Sequence, residues 1–201
     1  MRESVDLPLW STHIPYSSLP KSIIDLGCKI VYICRDPKDA FVSLWHFKEG
    51  EKYENQGFIP EEAFETFCKG VYFYGPYWEH FLGYWKASQE FPDRVLFLKY
   101  EKLMEDTGLY LKRLATFIGY PFSLQEENEG VVQNIIDLCS FENLSNLEVN
   151  KGGKHYYSAK NNKAFFRKGK VGDWKNYMSS EMAERLDKIV EEKLAGSGLK
   201  F

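Results

Sequence analysis

The chain has 201 residues and a formal net charge of −3, and 44% of its residues are hydrophobic. This length and apolar content predict a single folded domain over residues 1–201, and they exclude a disordered chain. The sequence contains no apolar run of about 18 residues, which predicts no membrane span. The acidic balance argues against a general nucleic-acid-binding protein.

The first predicted strand ends at a candidate site residue. Lys29 to Cys34 is a β-branched, apolar run that predicts a buried parallel strand ending at Arg35. Asp36-Pro37 then predicts the start of a helix. Ligands bind at the carboxyl ends of strands in open α/β sheets, so Arg35 is placed where a ligand is expected.

The later elements continue the alternation of strands and helices, which indicates an α/β fold. The spacing of apolar residues and the Pro and Gly signals predict these elements in chain order: helices over 60–68 and 76–88, a strand over 94–100 ending at Tyr100, a helix from Asp106 or Thr107 to a stop at Gly119, a helix over 131–139, and a last helix from Ser179 or Ser180 to Gly196.

Positive charge is concentrated in one segment. Residues 151–170 contain seven Lys or Arg and no Asp or Glu, although the whole chain is acidic. Within this segment Arg167, Lys168 and Lys170 surround Gly169, and a glycine allows backbone N–H groups to approach an anion closely. A solvated lysine-rich loop would explain the charge alone. The flanking Phe165, Phe166 and Trp174 favour a loop anchored to a core.

The four cysteines are scattered along the chain at 28, 34, 68 and 139. Without a Cys-x-x-Cys pair, they predict buried reduced thiols rather than a disulfide or a metal site. The N-terminal segment has no apolar stretch of the kind found in secretory signals. A cytoplasmic protein is therefore expected.

Several motifs, in this order, resemble the cytosolic sulfotransferases, which use 3'-phosphoadenylyl sulfate as sulfuryl donor. They are Thr12-His13-Ile14-Pro15, the run from Cys34 to Asp39 with Ser43 eight residues after Arg35, and Arg167-Lys-Gly-x-x-Gly-Asp-Trp174. The stretch from Cys139 to Asn150 looks most like the plant, flavonol-sulfotransferase-like branch. The resemblance implies an α/β, P-loop-like parallel sheet flanked by helices.

The resemblance also implies a role for each motif residue. His13 would be the general base, and an imidazole with a pKa of about 6.5 suits that role near neutral pH. Arg35, Ser43, Arg167, Lys168 and Gly169 would hold the 3'-phosphate of the donor, and Tyr100 would contact its adenine. Each has an ordinary alternative: a surface histidine, an ion-paired arginine, a helix serine or a core tyrosine. No metal is expected.

One family motif is missing from this sequence. Family members carry a Pro-Lys-Ser-Gly-Thr-Thr-Trp phosphate loop near their N-terminus, and no such segment occurs here. The chain thus resembles the C-terminal two-thirds of a sulfotransferase. We expect it to be poorly active alone, with backbone groups of the strands at 29–34 and 95–100 left unpaired.

Three functions remain open from the sequence. The first is sulfuryl transfer to a small hydroxylated acceptor, such as a flavonoid, phenol, steroid or hydroxy acid. The second is a non-catalytic homologue that binds only adenosine 3',5'-bisphosphate. The third, a nucleic-acid-binding module, is disfavoured by the net acidity, so no nucleic-acid or membrane partner is expected. Dimerisation stays open, because Ser180 replaces a valine of the family's dimer segment.

Overall fold

Two parallel strands and the helices between them form the centre of the molecule. The computed structural model describes residues 8–49, 59–71, 74–154 and 161–201. Strand β1 (Ile30–Cys34) pairs in parallel with β2 (Val95–Lys99), in a register that runs from Ile30 opposite Val95 to Cys34 opposite Lys99. Parallel strands need a long crossover between them, and three helices supply it.

Eleven α-helices lie in the described part of the chain. In order they are α1 (Lys21–Asp25), α2 (Pro37–Glu49), α3 (Glu61–Cys68), α4 (Tyr77–Glu90), α5 (Tyr100–Glu105), α6 (Thr107–Ile118), α7 (Leu124–Asn128), α8 (Val131–Leu138), α9 (Phe141–Asn146), α10 (Glu148–Gly152) and α11 (Ser180–Leu194). Short 3₁₀ turns cover Tyr16–Ser18, Asn162–Phe165 and Asp173–Asn176. No described helix is long and apolar enough to cross a membrane. The α/β class predicted from the sequence is confirmed.

The main core lies between the sheet and helices α2, α3, α4 and α11. Phe64, Phe81 and Leu186 are fully buried there, one from each of α3, α4 and α11. Burying a side chain of this size stabilises the fold by about 1.5–3 kcal/mol. This core fixes α4 against β2 and α11 against α2, and those two helix positions shape the site described below.

Strand β1 is parallel as predicted, but the prediction that it is buried is wrong. Val31 is 39% exposed and Ile33 is 52% exposed, whereas Cys34 is buried. Successive side chains of a strand point to opposite faces, so Ile30, Tyr32 and Cys34 face the core and the other two face away. The paired residues of β2 on that second face, Leu96 and Leu98, are only 5% and 1% exposed, so within the described residues this face is covered beside β2 and open beside β1.

The expectation that backbone groups of the two strands are left unpaired stays a prediction, because in the described residues neither strand has a second strand beside it. Each strand hydrogen-bonds to the other through five paired positions. In the described part of the chain, each strand therefore has a partner along one edge.

The cysteines only partly fit their prediction. All four are free thiols, as expected, but Cys28 and Cys139 are exposed, Cys68 is half-buried and Cys34 is buried.

Candidate functional site

The carboxyl ends of the two strands bring Arg35 and Tyr100 together. Arg35 follows β1 and Tyr100 follows β2, and the last residues of these strands are paired in the sheet. The guanidinium carbon of Arg35 lies 4.8 Å from the centre of the Tyr100 ring. A cation over an aromatic face is stabilised by the ring quadrupole. The sheet register thus joins two candidate residues that are far apart in sequence.

Arg35 also contacts the basic loop, here defined as residues 165–174. Its Nη2 donates to the backbone oxygen of Lys170 at 2.5 Å and lies 3.5 Å from a carboxylate oxygen of Asp39. The loop therefore packs beside the strand–helix junction. This contact brings the cations of the basic loop into the neighbourhood of Arg35.

Asp39 attaches the basic loop to helix α2. Its carboxylate, only 1% exposed, accepts the N–H of Gly172 at 2.6 Å and the N–H of Trp174 at 3.0 Å. Asp39 lies in the first turn of α2, where the helix dipole favours a negative charge. One buried carboxylate thereby satisfies two backbone donors of the loop and pairs with the nearby guanidinium.

Ser43 lies on the helix face that meets the basic loop. It is one turn after Asp39 and one turn before Phe47, so the three side chains share a face of α2. Phe47 packs on Phe165 at the start of the loop, with ring centroids 5.2 Å apart. Ser43 is half-buried, and the loop contacts α2 one turn before it and one turn after it.

Gly169 is required by the shape of the loop. Its φ is +62°, a left-handed conformation that L side chains rarely adopt, and a Cβ there would lie 2.5 Å from the Phe141 ring. Phe141 begins α9 and also packs edge-on against Phe166, at 5.9 Å between centroids. Cys139 and Ser140 precede it directly, and Ser140 caps α9 by accepting from Asn143 N–H at 3.1 Å. The loop is thus held by α9 on one side and α2 on the other.

Arg167 is held within the loop by a carboxylate. Its Nη1 donates to Asp173 at 2.5 Å, and its guanidinium lies 5.6 Å from the Tyr177 ring centre. Burial by itself raises the pKa of Asp173, but hydrogen bonds from Arg167 and Asn176 outweigh it and hold that pKa below its usual value. Asp173 is therefore ionised near neutral pH and orients the arginine.

Arg35 and Arg167 each have one buried hydrogen-bond donor that lacks an acceptor in the described structure. The Nε atoms of Arg35 and Arg167 are buried and have no hydrogen-bond partner among the described residues. An unsatisfied buried donor is unfavourable by about 1–3 kcal/mol. Two guanidinium groups with spare donors, beside the exposed Lys168, have the chemistry of a site for a phosphate-like anion.

The Thr12–Pro15 segment lies against helix α4. Thr12 Oγ1 accepts the N–H of Ile14 at 3.1 Å, and the carbonyl of Ile14 accepts the Tyr84 hydroxyl at 2.7 Å. The carbonyl of His13 accepts from His80 Nε2 at 2.9 Å. The exposed His13 ring stacks on Tyr74, with centroids 5.2 Å apart and planes 16° from parallel. The backbone here is fixed while the imidazole remains accessible.

Helix α4 links this segment to the Arg35 junction. Tyr77, His80 and Tyr84 share one face of α4 because they are three and four residues apart. The Tyr77 hydroxyl donates to the backbone oxygen of Arg35 at 3.0 Å. Helix α4 therefore contacts the backbone of both His13 and Arg35.

The sequence points to the cations and to His13, but not to three residues that hold the Arg35 junction, the basic loop and the His13 segment in place. Asp39 was recognised only as part of a motif, and Tyr77 and His80 were assigned no role. The one local signal for the latter pair was their helical spacing, which is typical of any helix face.

Comparisons with known proteins fit this arrangement. A model of the sulfotransferase domain matches residues 1–198. A flavonol sulfotransferase-like protein of Flaveria bidentis is 54% identical over 199 residues, covering 98% of this chain and 64% of that protein. The flavonol 4'-sulfotransferase of Flaveria chlorifolia is 54% identical over 191 residues, covering 94% of this chain and 60% of that protein. The chain thus spans less than two thirds of the length of either relative.

Solved structures agree on the fold. A mouse sulfotransferase crystallised with PAP superposes with a TM-score of 0.76 at 29% identity, covering 92% of this chain and 65% of that one. A putative steroid sulphotransferase of Arabidopsis thaliana gives 0.67 at 38% identity, covering 99% and 56%. With a family model matched along nearly its whole length, the chain belongs to the sulfotransferase family.

Proposed function

We propose that this protein carries the donor-binding and proton-accepting groups of a sulfotransferase that uses 3'-phosphoadenylyl sulfate. When bound, the donor supplies the sulfuryl group. The acceptor is a small molecule with a reactive hydroxyl, and no metal takes part. The 201 residues act as one sulfotransferase domain, and we propose a cytoplasmic location because several relatives are named cytosolic sulfotransferases.

The observation that carries this proposal is the docking of the basic loop on Arg35. The Arg35 contact with Lys170 and the Asp39 contacts with Gly172 and Trp174 join cations from two distant segments. In the proposed role, Arg35, Ser43, Arg167, Lys168 and Gly169 hold the 3'-phosphate, and the spare Nε donors support an anion there. Tyr100 contacts the adenine. The neighbour crystallised with PAP supports a nucleotide donor of this kind.

His13 is the proposed general base. Its ring is exposed, so an acceptor hydroxyl can approach it, and its backbone is held by α4, the helix that also contacts the backbone of Arg35. A neutral imidazole there accepts the proton of the hydroxyl as it attacks the sulfuryl group.

The relatives support the proposed acceptor class. Two are named as flavonol sulfotransferases, and structural neighbours were crystallised with androsterone or retinol. All of these molecules present a hydroxyl on a largely apolar frame. We propose a flavonol or similar phenol as the first acceptor to test. Predicted acceptor loops over 48–75 and 151–163 include residues 50–58, 72–73 and 155–160, which lie outside the described residues.

The sequence also favours a second function for these 201 residues alone. The Lys-Ser-Gly-Thr-Thr segment that cradles a 5'-phosphosulfate in relatives is not in the printed chain. Binding of adenosine 3',5'-bisphosphate without transfer would then be the activity of this chain.

A transfer assay separates the two functions. Labelled donor and a flavonol are incubated with the chain, and with the chain preceded by the N-terminal third of the Flaveria chlorifolia enzyme. The first function predicts transfer by the joined protein, and His13→Ala should lower its turnover by about 10²–10⁴-fold. Lys21→Ala, a change of an exposed side chain in the same region, is the matched control and should keep full turnover. Nucleotide binding without transfer by the 201 residues alone would support the second function for this chain, and no transfer by the joined protein would contradict the first.

A further inference from the structure

His80 connects a strand of the core to the segment that contains His13. Its Nδ1 lies 3.0 Å from the hydroxyl of Tyr32 on β1, and its Nε2 lies 2.9 Å from the backbone oxygen of His13. The imidazole is half-buried on α4. Both ring nitrogens therefore have partners, and the ring links strand β1 to the segment that contains His13.

The partners determine the tautomer of His80. A carbonyl oxygen can only accept, so Nε2 must carry the hydrogen that it donates to His13. In a neutral imidazole, Nδ1 is then the acceptor, and the Tyr32 hydroxyl is the donor. The two hydrogen bonds run in one direction, from Tyr32 through His80 to the carbonyl of His13.

Tyr32 is a firmly held donor. Its ring stacks on Tyr84 with centroids 4.2 Å apart and planes 10° from parallel, and it packs beside Phe97 at 5.4 Å. Burial raises the pKa of Tyr32 far above its usual value, so its hydroxyl keeps its hydrogen throughout the neutral range. The donor at the start of the chain of hydrogen bonds is thus fixed both in position and in protonation.

The His13 segment needs such support. It is an exposed stretch without helix or strand hydrogen bonds, followed by the 3₁₀ turn Tyr16–Ser18. A catalytic group must be held within about 0.5 Å of its productive position. Tyr84 fixes the carbonyl of Ile14, and His80 fixes the preceding carbonyl, so two successive peptide planes are held by α4.

We propose that His80, oriented by Tyr32, is a positioning residue that holds the backbone of His13 so that the His13 imidazole faces the acceptor. This inference deepens the proposed function, because it takes His13 as the base. His80 itself neither touches the reacting atoms nor exchanges a proton with them.

Nuclear magnetic resonance of the full chain tests the proposal directly. The amide of Ile14 belongs to the peptide plane whose carbonyl His80 holds, so its order parameter reports the contact. In the wild type we expect a rigid value near 0.85, and in His80→Leu a value below about 0.6. His80→Gln places an amide donor near the same carbonyl and should restore order, and Glu79→Gln, an exposed neighbour on α4, is the control that should change nothing.

The tautomer gives a second readout. At a pH of about 8, where an ordinary imidazole is neutral, the ¹⁵N spectrum of His80 should show a hydrogen on Nε2 and none on Nδ1. Tyr32→Phe removes the donor to Nδ1 and leaves the ring held by one hydrogen bond, so the Ile14 order parameter should fall partway toward that of His80→Leu while the protein stays folded. A wild-type His80 protonated on Nδ1 instead of Nε2, or an unchanged Ile14 order parameter in His80→Leu, would overturn the proposal.

The measurements distinguish a failure of the proposed function from a failure of the positioning role of His80. Full turnover in His13→Ala would reject His13 as the base and would leave the Ile14 result intact. Where transfer is measured, His80→Leu should lower kcat by about 10²-fold, because a 1 Å misplacement has an effect of that size. Unchanged affinity for adenosine 3',5'-bisphosphate confirms that the variant is folded, and a kcat restored by His80→Gln separates positioning from general loss of structure.

Discussion

Removing the carboxylate of Asp39 should detach the basic loop and destabilise the fold. Asp39→Ala leaves the N–H groups of Gly172 and Trp174 without their acceptor, and leaves Arg35 without its buried counter-charge. Each unsatisfied buried donor is unfavourable by about 1–3 kcal/mol, and breaking a buried ion pair by removing one partner is unfavourable by about 3–5 kcal/mol. Because these effects overlap, we expect a loss of about 3–5 kcal/mol.

Urea unfolding measures that loss. With a slope of about 1–3 kcal/mol per molar urea, the midpoint should fall by about 1 M or more in Asp39→Ala. Asp39→Asn keeps one acceptor oxygen and should lose less. Glu105→Gln is the control, because Glu105 is 61% exposed and pairs only at the surface with Lys102, an arrangement that contributes about 0–1 kcal/mol. An Asp39→Ala loss no larger than that of the control would refute the anchoring role.

Two further predictions concern the same loop. Gly169→Ala should destabilise the protein more than Gly172→Ala, because both positions have positive φ but only the first places its Cβ against Phe141. Equal midpoints for the two variants in thermal unfolding would contradict this. Because the folded-state pKa of Asp173 is lowered, its stabilising contribution is present above about pH 4 and is lost as the pH falls through that lowered pKa. The difference in free energy of unfolding between wild type and Asp173→Asn should therefore shrink from pH 7 to about pH 3, and a difference that is constant with pH would count against the charge-assisted pairing.

The long elements could be predicted from sequence because their signals are local. The helix over Thr107–Ile118 begins with an Asp106 cap that accepts from Leu109 N–H, and it ends at Gly119 with φ +93°, as its residue types predict. Helices of five or six residues, such as α7 and α10, were missed because they are too short to show a 3.6-residue period. The α7 capping box of Ser123 and Glu126 was a readable signal for one of them.

The burial of β1 was mispredicted for a different reason. An apolar run predicts a strand covered on both faces, but Val31 and Ile33 are exposed in the described structure. Which elements cover a sheet face depends on the packing of segments distant in sequence. A local run of apolar residues carries no information about them.

The site was predicted as a set of residues, but not as an arrangement. The cations and His13 were found through motif resemblance and local charge. The contacts that organise them join residues far apart in the chain: Asp39 and Gly172 are separated by 133 positions, and His80 and His13 by 67. A single sequence contains no signal for such pairs, because an aspartate on a helix or a histidine on an aromatic face has many ordinary roles.

Calorimetric titration with adenosine 3',5'-bisphosphate and with adenosine 5'-monophosphate tests whether the chain has a 3'-phosphate site. We expect clearly tighter binding of the 3'-phosphorylated nucleotide to the 201-residue chain. Arg167→Ala should remove about 1.5–3 kcal/mol of that preference, whereas the exposed-residue control Lys21→Ala should leave it unchanged. Equal affinity for the two nucleotides in the wild type would contradict a 3'-phosphate site at Arg35 and the basic loop.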